Sequence, residues 1–260
     1  MRKTQAEPQL LTGQNAAARQ HPSDVLPAEQ EKAATVRSMF GAIAPRYDLL
    51  NHLLSLNRDR SWRRHAVNDL LDQRPMEGRF LDACAGTLDL AVELGARSHF
   101  RGQVVASDFS FPMLGAGVAK TRGRPITVAC ADALQQPFAD ASFDAAMVGF
   151  GVRNLSSIEA GLAEFARLIR PGGRLVVLEF TTPQWQPFRG LYLFYFRRLL
   201  PLIGKLVSRH SKAYSYLPES VLHFPEPPAL AELMTLAGFQ PVAWRTLTGG
   251  IVAIHTGVRR

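Results

Sequence analysis

Cysteine is scarce, long uncharged apolar runs are missing, and the chain has no G-x-G-x-x-G phosphate loop. Two cysteines in 260 residues, Cys84 and Cys130, cannot build a disulfide framework. Both sit in apolar, strand-like settings, which suits buried thiols in a reduced compartment. Neither has neighbours at metal-ligand spacing, so no metal site is expected. No uncharged apolar run approaches the ~20 residues that a membrane span needs. Residues 1–30 lack the apolar stretch of a secretory signal. They are polar and rich in Gln, Ala and Pro, and a disordered tail is expected over 1–32. Arg2, Lys3 and Arg19 leave a mitochondrial transit peptide open, and Glu7 argues against it.

Acidic residues are missing from 185–216, where Arg189, Arg197, Arg198, Lys205, Arg209 and Lys212 fall. The net charge of +8 is therefore concentrated locally. A second basic group, Arg58, Arg60, Arg63 and Arg64, is tempered by Asp59. Basic patches meet nucleic acid or anionic lipid. The stretch FRGLYLFYFRRLLPLIGKLV (188–207) places aromatic and aliphatic residues between its charges. That interleaving favours peripheral contact with a membrane surface and argues against nucleic acid. The competing reading is a core-packed helix whose arginines snorkel to solvent.

What is present suits one compact α/β domain over 33–260, with 47% hydrophobic residues to fill its core. Helical segments over 33–56 break at Pro45. Trp62, Ala66, Val67, Leu70 and Leu71 continue a helical spacing over 59–71. Together they form an N-terminal cap, 33–71. Strands are expected over 79–84, 103–108, 126–131, 143–150 and 174–180. A closing pair, 240–247 and 251–258, flanks the hairpin signal Thr248-Gly249-Gly250. Between strands, one helix runs from the Ala85-Gly86-Thr87 turn to about 98, and Pro112 opens the next. Ser156 or Ser157 caps a third, with Ile158, Leu162, Phe165, Leu168 and Ile169 on its apolar face. Pro171-Gly172-Gly173 stops it after Arg170. A helical insertion covers about 188–209, within an apolar and basic segment 188–216, and a last helix covers 228–237.

Repeated β-α-β units imply right-handed crossovers and a mostly parallel sheet with helices on both faces. Seven strands with an antiparallel C-terminal hairpin strand make the Rossmann-like architecture associated with class I methyltransferases. Fold alone does not fix function. Ligands of such sheets bind beyond the carboxyl ends of the strands, where strand order reverses. Asp82 ends the first strand and enters Ala85-Gly86-Thr87-Leu88-Asp89, a loop with one glycine. An acidic lip disfavours pyrophosphate and favours the ammonium and sulfonium of S-adenosyl-L-methionine. Asp108 ends the second strand, where a carboxylate can accept both ribose hydroxyls. Asp132 follows the third, where it and the Ala133 amide can meet the adenine edge.

The carriers of a family resemblance run from Val36 to the end. They are VRSMFGAIAPRYDLLNHLLSLNRDRSWRR (36–64), LDACAGTLDLA (81–91), SDFSFPML (107–114), GFGVRNL (149–155), LAEFARLIRPGG (162–173), YLFYFRRLLPLIG (192–204), YSYLPESVLHFP (214–225) and LTGGIVAIHTG (247–257). Together they resemble the quinol C-methyltransferases of menaquinone and ubiquinone biosynthesis. Tyr47-Asp48…Asn51 and Gly151-Val152-Arg153-Asn154 are the more specific marks. The resemblance implies donor contacts from Thr87, Asp108, Asp132 and Ala133, beside Asp82 and Gly86 of the glycine loop. For the acceptor it implies a prenylated quinol, demethylmenaquinol or the corresponding benzoquinol. Arg153 would stabilise the developing quinolate or orient a water, since guanidinium stays protonated and is no simple base. Asn154 would bond the ring oxygens, while Tyr47 and Asp48 close over the substrate. The implied location is cytoplasmic, at the inner face of the cytoplasmic membrane, and a homo-oligomer is left open. Two positions depart from the family. AGTLD stands where GGTGD is common, so Leu88 replaces a glycine, and Gly149 stands where many members have serine.

Two rivals remain. A NAD-dependent dehydrogenase would need the missing G-x-G-x-x-G. A non-catalytic lipid-binding module would keep the apolar insertion but need no acids at strand tips. A methyltransferase for another lipid or phenol is a third, closer alternative.

Overall fold

The computed structural model describes residues 26–72, 76–199 and 211–260. Five strands run parallel: β1 (Arg79–Ala83), β2 (Gln103–Asp108), β3 (Ile126–Cys130), β4 (Phe143–Gly149) and β5 (Ile169–Phe180). A C-terminal hairpin adds β6 (Phe239–Leu247) and β7 (Val252–Arg259), and β7 pairs antiparallel with β5. The sheet order is β3-β2-β1-β4-β5-β7-β6. The chain leaves β1 outward through β2 and β3, then returns to place β4 on the other side of β1. That reversal opens a crevice above the tips of β1 and β4.

The helices fall on both faces. On one lie α3 (Arg58–Leu71) and α4 (Asp89–Gly95); on the other lie α6 (Ile158–Leu168) and α9 (Pro227–Leu236). Strand side chains alternate between these layers. Phe80, Ala145, Met147, Val176 and Leu178 meet the α3 and α4 layer. Leu81, Ala83, Ala146, Val148, Leu175 and Val177 meet Leu162, Phe165, Leu230 and Met234. Both faces being covered explains the near-continuous apolar runs of β4 and β5. Each large side chain so buried contributes about 1.5–3 kcal/mol.

A third apolar cluster sits above the strand tips. It joins α1 (Glu29–Ile43) and α2 (Tyr47–Leu54), linked by a 3-10 turn at Ala44–Arg46, to α7 (Gln186–Phe194) and α8 (Ser211–Leu222). Ile43, Leu50, Tyr192, Phe196 and Val221 are its buried members. Pro45 interrupts the cap as expected, because it falls at the start of the 3-10 turn. A further helix, α5 (Phe111–Gly117), follows β2 and places Pro112 in its first turn.

Several boundaries differ from the sequence expectation. α1 begins at Glu29, inside the tail expected over 1–32, while residues 1–25 lie outside the described residues. α4 ends at Gly95 rather than near 98. α6, capped by the Ser157 side chain, ends at Leu168, two residues before the expected stop. Arg170 precedes a proline and so avoids the helical region. Ile169 instead turns extended and pairs with Phe143. Pro171-Gly172-Gly173 then forms a register shift within β5 rather than a helix stop. Of the insertion expected over 188–209, α7 and a π-helical turn at Tyr195–Leu199 are observed, and 200–210 lie outside the described residues. No helix among the described residues is long and apolar enough to cross a membrane.

Candidate active site

The loop after β1 is bent by three left-handed residues: Cys84 at φ 54°, Gly86 at 54° and Leu88 at 72°. A left-handed leucine costs about 1–2 kcal/mol. Leu88 offsets this because its side chain is wholly buried in the α3 and α4 layer. The glycine missing from the family pattern is thus exchanged for core packing, with the backbone bend kept. Asp108, at the tip of β2, fixes the loop from the side. One carboxylate oxygen accepts the Gly86 amide at 2.9 Å and the other accepts the Ser110 amide at 2.8 Å. Burial pushes the Asp108 carboxyl above its ordinary range, against the pull of these two amides. α5 docks on the loop through Gly117, where a Cβ would lie 2.2 Å from the Thr87 carbonyl oxygen.

A narrow cleft of about 70 Å³ opens above the loop, between the strand tips and α1. Gly86, Asp108, Asp132 and Ala133 line it together, with Asn154 and the cap residue Tyr47 opposite. Its described wall carries two carboxylates and no lysine or arginine. Such a wall repels polyphosphate and attracts a cation. Gly149 also lines the cleft, and a Cβ there would come within 2.5 Å of Leu90 Cδ1. The serine expected at that point is therefore replaced by leucine packing from α4.

Three expected site residues lie elsewhere. Asp82 shares the β1 face of Phe80, so strand alternation turns it toward α4 rather than into the cleft. There it accepts the Ala91 amide at 2.9 Å and is fully buried, its second oxygen having no partner among the described residues. Burial pushes its carboxyl up to about 8, so it is no anionic lip near neutral pH. The acid on the wall is Asp108 and Asp132. Thr87 is buried behind the loop, its hydroxyl donating to Asp48 at 2.5 Å. Asp48 in turn accepts from Lys120 at 2.5 Å and faces neither cavity wall.

A larger cavity of about 650 Å³ lies beside the cleft, enclosed by the cap, α7 and α8. The two spaces share Phe40, Tyr47 and Phe150 as a common wall. The 3-10 turn Val152–Asn154 straddles it: Asn154 faces the cleft and Arg153 faces the cavity. Arg153 is buried and paired with Glu179, whose carboxylate accepts its guanidinium at 2.9 Å and its backbone amide at 3.2 Å. It also donates to the Phe150 carbonyl at 2.5 Å and lies over the Phe180 ring, 5.4 Å from its centroid. The guanidinium plane is thereby fixed, and Nε has no partner among the described residues. Asn154 donates to the same Phe150 carbonyl at 3.1 Å and accepts from the Tyr216 hydroxyl at 3.2 Å. Burial pushes the phenols of Tyr47 and Tyr216 above their ordinary range, while the Arg153 charge draws both down.

An ionic chain ties the cap to the glycine loop. His52 meets Asp59 at 2.7 Å, Asp59 pairs with Arg63, and Arg63 reaches Asp89 at 3.3 Å. Asp89 meets Lys120 at 2.6 Å, and Lys120 continues to Asp48 and Thr87. Burial pushes the Asp59 carboxyl up, but the Ser55 hydroxyl and Arg63 outweigh it and hold the group below its ordinary range. With Arg63 between Asp59 and Asp89, the His52, Asp59 and Asp89 cluster already has its cation.

A family model described as the ubiE/COQ5 methyltransferase family matches residues 28–259. The chain belongs to the ubiE/COQ5 methyltransferase family. Among curated relatives of this methyltransferase, the demethylmenaquinone methyltransferase of Thermus thermophilus is 48% identical over 223 residues, 85% of this chain and 100% of the relative. That of Deinococcus radiodurans is 45% identical, covering 89% and 95%. A Geobacter protein named for ubiquinone and menaquinone C-methylation is 44% identical, covering 89% and 99%. Solved structures echo the fold: a Thermotoga maritima methyltransferase at TM-score 0.61 and 19% identity, covering 86% of this chain and 99% of that one, and the cyclase SpnF at 0.62 and 16%, covering 90% and 97%. A cyclase on the same scaffold shows why the family, rather than the fold, carries the function.

Sequence reasoning missed Glu179, Arg63 and Tyr192 as parts of the site. Glu179 had a signal, being a lone acid in the buried apolar run RLVVLEF. Such a residue needs a charged partner. Arg63 was hidden among basic neighbours, and Tyr192 inside a segment read for its apolarity.

Proposed function

We propose that this methyltransferase moves a methyl group from S-adenosyl-L-methionine to a ring carbon of a prenylated quinol, demethylmenaquinol in the first instance. The observation that carries the reading is the meeting of two unlike spaces at one wall. An acid-lined cleft suits a cationic nucleoside, and an aromatic cavity beside it suits a flat ring with a hydrocarbon tail. The names of the Thermus and Deinococcus relatives favour the naphthoquinol acceptor.

The fit of the donor to the cleft rests on charge and backbone. Asp108 and Asp132 offer carboxylates to hydroxyl and amine donors, Ala133 lines the same space, and Gly86 keeps the loop low. The sulfonium supplies an electrophilic methyl; the rest falls to the protein. Phe40, Tyr47 and Phe150 hold the ring against the cleft and exclude water, so alignment supplies much of the acceleration. A phenol-like hydroxyl has a pKa near ~10 and must lose its proton for the ring carbon to become nucleophilic. Arg153 cannot take that proton, but it stabilises the oxyanion left behind, in a dry site where a fixed charge acts strongly. Glu179 and the Phe150 carbonyl hold it in place. On transfer the methyl carbon would exchange its bond to sulfur for one to the ring carbon, leaving a neutral thioether, and the ring carbon would then release its hydrogen as a proton to water.

The same reading places the protein at a membrane surface. Leu56, Leu191 and Phe194 line the cavity and are exposed, and Leu49, Leu53 and Trp185 are exposed nearby in sequence. Arg58 also lines the cavity, and Arg198 is exposed. Apolar residues at the entrance with cations around them suit an anionic bilayer delivering a prenyl tail. Replacing Leu191 and Phe194 by serine is expected to lower partitioning onto anionic liposomes severalfold; unchanged partitioning refutes the placement.

The decisive test for the reaction is mass spectrometry of the quinone pool with and without the protein, joined to transfer of labelled methyl by the purified chain. A pool lighter by one methyl in its absence is expected, with label on the naphthoquinol ring. Label on a benzoquinol alone would move the acceptor to that ring. No label on either ring would refute the reading.

A further inference from the structure

Four tyrosines line the apolar cavity: Tyr47, Tyr192, Tyr195 and Tyr216. Three are engaged. Tyr47 bonds the Asn51 side chain, Tyr195 donates to the Leu54 carbonyl at 3.1 Å, and Tyr216 donates to Asn154 at 3.2 Å. Tyr192 is the exception. It is 6% exposed, and its hydroxyl has no partner among the described residues. Its ring is clamped on Phe196, with centroids 4.8 Å apart and planes 23° from parallel, so the hydroxyl direction is set by packing. Arg153 lines the same cavity, and its Nε is likewise buried and without a partner among the described residues.

Buried donors ordinarily find partners, and two idle donors in one apolar cavity point to a ligand with two acceptors. We propose that the Tyr192 hydroxyl and the Arg153 Nε–H form a two-point receptor for the two ring oxygens of the acceptor. Tyr192 is then the residue that selects a ring carrying two oxygens over one carrying a single oxygen. The proposal rests on the quinol reading above and adds to it a residue that no step has yet used. Burial raises the Tyr192 phenol well above its ordinary value, against the pull of Arg153, so it stays protonated and acts as a donor rather than a base. A site built to bond a hydroxyl rejects an analogue that lacks it, because the protein group is then left unpaired.

The test compares the wild-type chain with Tyr192→Phe on two acceptors, a prenylated 1,4-dihydroxynaphthalene and its monohydroxy analogue. The wild type should prefer the dihydroxy ring. Tyr192→Phe should lose about tenfold or more in kcat/KM on that ring, lose little on the monohydroxy ring, and keep the same Kd for S-adenosyl-L-methionine. Calorimetric binding of the two rings to the donor-saturated protein should show the same collapse of preference. Because the hydroxyl has no partner among the described residues, the variant should melt at the wild-type temperature or above. An equal loss on both rings, no loss on either, or a Tm lowered by several degrees overturns the inference. A wild-type chain that methylates neither ring overturns the quinol reading itself.

Discussion

In the proposed reaction the cleft and the cavity divide the labour, and they are built by opposite means. The cleft is made by strand tips and the turns after them, where backbone amides and carboxylates converge. The cavity is made by helix faces from both ends of the chain, where aromatic rings converge. One space recognises charge at short range; the other recognises shape and apolarity. They share one wall, and on the proposed reading the reacting atoms meet there, where a polar scaffold touches an apolar lid, with Arg153 as the charge at that seam.

The comparison is sharpest at Arg153. Arg153→Lys keeps a cation for Glu179 but loses the planar fork, so kcat is expected to fall at least a hundredfold, with donor Kd changed less than twofold. Stopped kinetics and calorimetry on the same protein separate the two. A matched loss in both would show that the seam serves the cleft. Arg153→Ala is a poorer probe, since it strands a buried carboxylate and costs about 3–5 kcal/mol of stability.

On the cleft side, Asp108→Asn should weaken S-adenosyl-L-methionine by at least tenfold, about 1.4 kcal/mol, and leave the affinity for a prenylated naphthoquinol nearly unchanged. Loss of both affinities would mean that the two spaces do not function separately.

Asp82 bears on stability and its pH dependence, outside both the cleft and the cavity. Its folded pKa of about 8 lies above the ordinary 3.8. Between those values the native state holds a proton that the unfolded chain has lost, so stability falls as pH rises, by up to about 1.4 kcal/mol per unit. The contribution is fully present below the lower value and gone above the upper. Asp82→Asn should therefore flatten the fall in Tm between pH 5 and pH 8. An unchanged slope in thermal melts would show that Asp82 is ionised in the fold.

The sheet was legible because its strands are short apolar runs separated by turns, and every strand was placed from that signal. Asp108 and Asp132 were legible for the same reason, since each closes a strand that the sheet aims at the cleft. Asp82 misled because its position was read without its parity: two residues after Phe80, it belongs to the covered face. The cavity was the least legible region. Helices from residues 29–71 and 186–222 build it together, and no local pattern says which helical faces will meet across so long a separation. Its walls surfaced in the sequence only as an excess of aromatic residues between charges.

The ionic chain from His52 to Thr87 has a practical consequence. Its outer links are not sealed: the side chains of Asp48 and Lys120 are 32% and 30% exposed. Counter-ions with a Debye length of about 8 Å at physiological strength reach them. On the proposed membrane placement, added salt then acts on turnover in two independent ways, by loosening the grip of the lid on the loop and by detaching the protein from an anionic bilayer. Rates measured in detergent, with no bilayer to leave, isolate the first of these.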